Sequence, residues 1–432
     1  ASYKASNLIK LTYTSSVSDL ASIEKLLCEI YLMSKDEKET KYIIDDVVVK
    51  VLWQFYSKND ISRRQRRGAI IVLGMLAAAD HQVSLSGLDL LLNIGLDVST
   101  KDWILMRYSC IALRRIVPSS KMNVEGVSFK ISKEKEALES LTQVLTLYTP
   151  EGEWFGMAEE ALNAVYTIAS HPDSIASNIL KIKSKEVFST TGKDESVHSL
   201  SQLIFLVGHI ALKTIIHLEK CEAEFKKKKM AAEAKINSNK DKSEQEKNTE
   251  LEMIGGTNED DFADAVMVIK EREVLYGEHS LLARFVPLVK EIVTHPMEYP
   301  DAGLQRQTTL CLEKMMCVSP KFCQENLPLY IDIMENSKDA ITRSNAVLGL
   351  GDMTVCFNNI VDQSKDQLYG RLQDENIMVQ RTCLMTVTFL ILAGQVKVKG
   401  QLAQMAKLLE NKDSNIACLL YTSDAADDMQ CV

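Results

Sequence analysis

Apolar residues recur at spacings of three and four along most of this 432-residue chain. Leu20–Met33, Tyr42–Phe55 (YIIDDVVVKVLWQF), Arg63–Ala79 (RRQRRGAIIVLGMLAAA), Leu85–Leu96 and Trp103–Val117 (WILMRYSCIALRRIV) each carry one apolar stripe between polar positions. That is the period of a helix lying on a core; a half-buried strand would alternate every second residue. The same spacing predicts helices over Glu134–Tyr148 and Phe155–Ser170, joined by the turn TPEGEW, and a shorter one from His171 to about Lys183. From Glu195 to about Lys235 the pattern begins apolar (SLSQLIFLVGHIALKTIIHL) and ends charged (CEAEFKKKKMAAEAK), which predicts a buried helix with a projecting end. Helices over Asp261–Tyr276 and Ser280–Val293 follow.

Beyond Asp301 the pattern becomes periodic. An acidic residue, a basic one and a helical apolar run recur from Asp301 (PDAGLQRQTTLCLEKMM), Asp339 (KDAITRSNAVLGLGDM), Asp374 (QDENIMVQRTCLMTVTFLIL) and Asp413 (KDSNIA), at steps of 38, 35 and 39 residues. Steps of this length mark stacked helical hairpins of the HEAT or armadillo kind, so the expected fold is an all-α solenoid. The acid and base at each turn are expected to form a ladder of capping bonds and ion pairs between repeats, imperfect where Gln380 precedes Arg381. Trp103–Val117 repeats the theme, with Arg107 five residues after Asp102.

Composition changes this picture in two places. Residues 236–260 are Asn, Ser, Lys, Asp, Glu and Gln with little apolar content, too little to offset the entropy of ordering them. They are read as a disordered linker between an array over 1–235 and a second over 261–417. The last residues, 418–432, leave the period, and CLLYTSDAADD is similar to a translated sequencing adapter. Because the chain opens on Ala1, it is read as an internal fragment.

Candidate chemistry is sparse. The ten cysteines are scattered through apolar stretches, and Cys311, Cys317 and Cys323, six apart, match no common zinc spacing. His209 and His217 read as packing residues on one helix, and no phosphate-loop or dinucleotide fingerprint occurs. Gly349 and Gly351 in LGLGDM are expected to allow close helix packing. No apolar run reaches the length of a bilayer span. No catalytic residue, metal site or cofactor is expected.

The periodic region resembles a known family. RSNAVLGLGDMTVCFNN (Arg343–Asn359) is similar to the RSN…GD…RFPN unit of the HEAT-repeat subunit 1 of condensin, in its condensin I form. QLYGRLQDENIMVQRTCLMTVTFLILAGQVKVKGQ (Gln367–Gln401) looks like that family's LYxRLxD…VRKT…LIL…VKVKGQ unit. RRQRRGAIIVLGMLAAAD (Arg63–Asp80) and LSQLIFLVGHIALKTIIHLE are similar to earlier parts of it. Cys356 stands where the family has a basic residue, Asn358-Asn359 where it has Pro-Asn, and Gln380 where it has the ladder arginine.

The resemblance implies a non-catalytic subunit that grips the kleisin bridging two SMC ATPases and contributes to DNA contact in mitotic chromosome condensation, in the nucleus and on chromosomes. Alternatives are a condensin II counterpart, or a transport or adaptor-type HEAT scaffold that binds protein cargo and not DNA. Neither membrane nor small-molecule substrate is expected. With a net charge of −9, contact with double-stranded DNA has to come from local patches. Candidates are Arg63, Arg64, Arg66 and Arg67, the group Lys397, Lys399 and Lys407, and the run Lys226–Lys229. No aromatic residues interleave them, so any contact is expected to be sequence-independent. For the kleisin, Asn345 could clasp an extended backbone, or bond a neighbouring loop instead; Tyr369 and Arg371 could rim the groove or cover the core.

Overall fold

A computed structural model describes residues 1–35, 44–117, 133–189, 193–238 and 259–396. Among them every regular element is helical. Contacts divide the chain into two compact units, Ala1–Ser189 and Thr190–Val432.

The first unit holds α1 (Ser2–Leu11), α2 (Val17–Lys35), α3 (Asp46–Ser57), α4 (Arg63–Ala79), α5 (Trp103–Arg114), α6 (Glu134–Thr146), α7 (Glu153–Ile168) and α8 (Pro172–Ser189). Helix α4 shows how sequence sets the boundaries. Ser62 accepts from the Gln65 amide while the Gln65 side chain accepts from the Ser62 amide, a reciprocal capping box. At the other end Asp80 leaves helical geometry and caps the next turn through the Gln82 amide. From Gly68 to Ala77 every residue of α4 is buried, because α1, α2, α3 and α5 all pack on it. The helix expected over Leu85–Leu96 is instead broken into Leu88–Leu90 and a wide turn at Leu91–Gly95. The chain turns at Ser86–Gly87, where the Trp53 ring leaves no room for a side chain.

The second unit holds α9 (Lys193–Ser238), α10 (Glu259–Val268), α11 (Leu281–Thr294), α12 (Ala302–Met316), α13 (Pro320–Asn336), α14 (Ala340–Cys356) and α15 (Ile377–Leu392). Three first-of-pair helices, α12, α14 and α15, pack in succession, and α13 pairs with both α12 and α14. Gly349 and Gly351 permit the approach, as expected. A Cβ on Gly349 would stand 2.4 Å from Glu313 Cγ on α12, and one on Gly351 2.5 Å from Thr386 Cγ2 on α15. Helix α9 belongs to this unit and packs along α12. Composition put an array boundary at 236–260, whereas contacts divide the chain at Ser189–Thr190; residues 239–258 lie outside the described residues.

Two expectations about α9 need correction. Ser196–Ala231 is long and apolar enough to cross a membrane, although no such span was expected; 61% of its apolar window is buried within the protein, as in a core helix. Its charged stretch is tied down at one point, where Phe225 stacks on Phe262 of α10 with ring centroids 4.4 Å apart, while Lys227 and Lys228 beyond it are exposed. His209 is buried on this helix, stacked on Phe205, and burial with the nearby Lys314 pulls its pKa down to about 3. It is a neutral packing residue.

The expected ladder is present within each unit. In the second, Arg306 grips Asp339 with both nitrogens (2.7 and 2.8 Å), and Asp339 also caps α14 through the Thr342 amide. Arg343 grips Asp374 in the same way (3.0 and 2.8 Å) and donates to the Ser337 carbonyl. Asp374 does not cap α15, however; Asn376 does, through the Met378 amide. Gln380, in place of an arginine, turns back to the Asp374 carbonyl. In the first unit Arg67 grips Asp102, the cap of α5. There the ladder stops. Arg107 Nε is buried without a partner among the described residues, and Gly152, at the cap position before α7, offers no side chain to cap it.

Candidate binding surfaces

The four arginines at the start of α4 divide by their direction. Arg66 donates to the Tyr56 and Lys58 carbonyls (3.1 and 2.7 Å), closing the end of α3. Arg67 is the ladder partner of Asp102. Both are half-buried and committed to the fold, so as phosphate contacts they are withdrawn. Arg63 and Arg64 are exposed. Arg64 lies over the Tyr13 ring, 4.2 Å from its centroid, and donates to the Tyr13 carbonyl at 3.2 Å. Arg63 lines a shallow cleft of about 310 Å³ with Lys101, Trp103, Glu151 and Glu153. Cation and carboxylate alternate there, so this edge presents no single-sign field.

Of the lysine run, Lys226 pairs with Glu222 at 2.8 Å, and Lys227 and Lys228 are exposed. Lys397, Lys399 and Lys407 lie outside the described residues.

The three residues assigned to a peptide groove also separate. Tyr369 is only 1% exposed, and burial pushes its hydroxyl up to about 12. It is a core residue and cannot rim a groove. Arg371 is turned to Asp374 at 3.3 Å, as a second cation on the ladder acid. Burial pushes the Asp374 carboxyl up, but Arg343, the Asn376 amide and Arg371 outweigh it and hold the pKa below the usual value. Asn345 is half-buried on α14, and no hydrogen bond from its amide is seen among the described residues.

Beside Asn345 lies a surface that the periodicity did not single out. Ile341, Leu348 and Val355 on α14, and Met378, Met385, Phe389 and Leu392 on α15, are between 39% and 59% exposed. Ile341, Leu348 and Val355, and likewise Met378, Met385 and Leu392, recur at intervals of seven, and Phe389 fills the turn after Met385, so each set forms a stripe. Ser344 and Thr382 meet across the two helices at 2.7 Å. Ile341 and Leu348 lie three and four positions from Ser344, Met378 and Met385 four and three from Thr382, and on both helices the opposite flank is buried. The stripes therefore flank one shallow apolar strip. Contiguous exposed apolar surface of this kind marks interaction sites in soluble proteins. Its signal in the sequence was the excess of apolar positions on α14 and α15, more than a one-sided helix needs.

The fold and these surfaces define a helical-repeat scaffold with exposed side faces. Comparison with known proteins sharpens this. The family described as non-SMC mitotic condensation complex subunit 1 matches residues 341–422, beginning on the apolar strip. Condensin complex subunit 1 of Saccharomyces cerevisiae is 47% identical over 465 residues, covering 99% of this chain and 39% of the yeast protein. Its Schizosaccharomyces pombe counterpart is 42% identical over 463 residues, with the same coverage of each. This chain belongs to the condensin complex subunit 1 family, and it spans about two fifths of the length of those two relatives. Among solved structures, the S. pombe condensin Cnd3-Cnd2 subcomplex is 10% identical, covering 98% of this chain and 70% of that one, with a TM-score of 0.35; at that score the likeness carries no argument.

Proposed function

We propose that this chain is part of a non-catalytic condensin subunit acting in mitotic chromosome condensation on chromosomes and in the nucleus. It holds a kleisin segment on the α14–α15 strip, next to the SMC ATPase heads, and touches double-stranded DNA without reading sequence. The observation that carries the reading is the strip itself, apolar, adjacent to Asn345, whose amide makes no hydrogen bond among the described residues, and lying where the family match begins. Apolar anchors with a nearby amide suit capture of a peptide, the side chains filling the strip and the amide bonding the backbone. What supports DNA contact is narrower, two outward arginines on α4 and two exposed lysines on α9 in a chain of net charge −9. Such contacts position a duplex by its phosphates and carry no sequence information.

The test is co-purification of the 432-residue chain with a kleisin fragment from condensin, alongside an importin-type cargo peptide. The reading predicts a stoichiometric complex with the kleisin and none with the cargo. Retention of the cargo alone would favour a transport scaffold and defeat the assignment.

A further inference from the structure

At one end of the α12–α14 pair, two thiols meet. Cys317 follows the last residue of α12, and Cys356 is the last residue of α14. Glu313 on α12 faces Asp352 on α14, and one turn further on Cys317 faces Cys356; each pair is 39 residues apart. The constant offset means that the two helices run parallel and in register here. Gly349 brings them unusually close, since a Cβ there would overlap Glu313. The two thiols are free, and their side chains face each other at these helix ends. Cys356 is exposed and Cys317 half-buried, so a small reagent reaches the first and finds the second behind it. A third thiol, Cys323 on α13, is fully buried, with its sulfur 3.8 Å from Met353 Sδ.

We propose that Cys317 and Cys356 form an oxidant-sensitive dithiol, whose substrate class is small hydroperoxides and whose oxidation joins α12 to α14 by a covalent bond. Cys356 is the exposed sulfur and Cys317 the half-buried one behind it, so Cys356 attacks and Cys317 resolves. The neighbouring Cys317 thiol also holds Cys356 below its ordinary pKa, while Cys317 is itself pushed up. The Cys356 sulfur attacks one oxygen of the hydroperoxide and the O–O bond breaks. Cys356 becomes a sulfenic acid, and the other oxygen leaves as water or an alcohol, carrying the thiol proton. The Cys317 sulfur then attacks the Cys356 sulfur. The S–S bond forms, the S–O bond breaks, and hydroxide leaves as water with the Cys317 proton. Two thiols are oxidised and one peroxide is reduced. The bond would pin the end of α14 next to Val355, at the edge of the apolar strip.

Each cysteine lies on its own tryptic peptide: 315–321 holds Cys317, 322–338 holds Cys323 and 344–365 holds Cys356. The 432-residue chain is treated with hydrogen peroxide and mapped without reduction. The expected product links peptides 315–321 and 344–365 within one chain, and raises the melting temperature by at least about 4 °C. Cys317→Ser should instead accumulate a sulfenic acid on Cys356 that dimedone traps, whereas Cys323→Ser should leave the cross-link intact. A link through Cys323, a link between two chains, or peroxide consumption that leaves both peptides unmodified would overturn the proposal. Mapping the unmutated chain gives this answer even if a variant fails to fold.

Discussion

At the residue scale, the ladder of the second unit makes two ion pairs of one geometry and different burial. The Arg343 and Asp374 side chains are 6% and 2% exposed, against 34% and 29% for Arg306 and Asp339. Removing one partner of a buried pair leaves the other charge uncompensated, while an exposed pair is screened and weak. Arg343→Ala is therefore expected to destabilise the second unit by about 3–5 kcal/mol. Arg306→Ala should cost about 1 kcal/mol or less, both read by urea denaturation. Equal losses would mean that burial does not set the difference. Glu313 gives a pH signature. Burial first, then the neighbouring Asp352 charge, pushes its pKa from 4.5 up to about 8. The folded state therefore holds this proton more tightly than the unfolded chain. The stabilisation is complete below about pH 4.5 and is lost as pH rises towards 8. Glu313→Gln should flatten that part of the curve of melting temperature against pH; an unchanged slope would assign it to other groups. None of this burial was legible in the sequence. Arg343 and Arg306 occupy equivalent places in the repeat, and only the packing separates them.

At the element scale, the helices were legible because their apolar spacing and caps agree. The start of α4 at Arg63 and its end at Ala79 match the pattern, and Asp301 and Asp339 cap as the repeat implies. The failures have local causes. Leu85–Leu96 looks helical by period but turns at a glycine held against Trp53, a contact more than thirty residues away in sequence. Asp374 reads as a cap but is drawn to Arg343, which leaves capping to Asn376. The glycines give a prediction with opposite signs. Gly349 meets Tyr330 and Glu313, so Gly349→Ala is expected to destabilise by about 1–3 kcal/mol although alanine is the better helix former. Gly370, with open space around it, is the control; Gly370→Ala should be neutral or stabilise by up to about 1 kcal/mol. Thermal denaturation of the two variants decides, and a gain at Gly349 would contradict the close approach of α12 and α14.

At the scale of the whole molecule, fold class and family were legible, whereas the binding residues were mostly not. Periodicity locates a repeat but does not say which flank stays open. Arg66, Arg67 and Tyr369 carry chemistry suited to binding, yet the fold uses all three internally. The apolar strip was hidden because Leu348 or Met385 looks like any core residue until its neighbours are known. The DNA reading now rests, in the first unit, on Arg63 and Arg64. Arg63→Glu with Arg64→Glu should lower duplex affinity and reduce the slope of log affinity against log salt by about 2, one per lost phosphate contact. An unchanged slope would remove this edge from the account. The central claim, that the α14–α15 strip holds the kleisin, is tested most directly by calorimetric titration of the chain with a condensin kleisin fragment. One to one binding is predicted, weakened at least about tenfold by Leu348→Glu with Met385→Glu in a chain that stays helical, since such anchors dominate binding energy. No binding heat, or equal affinity for the unmutated chain and the variant, would contradict it.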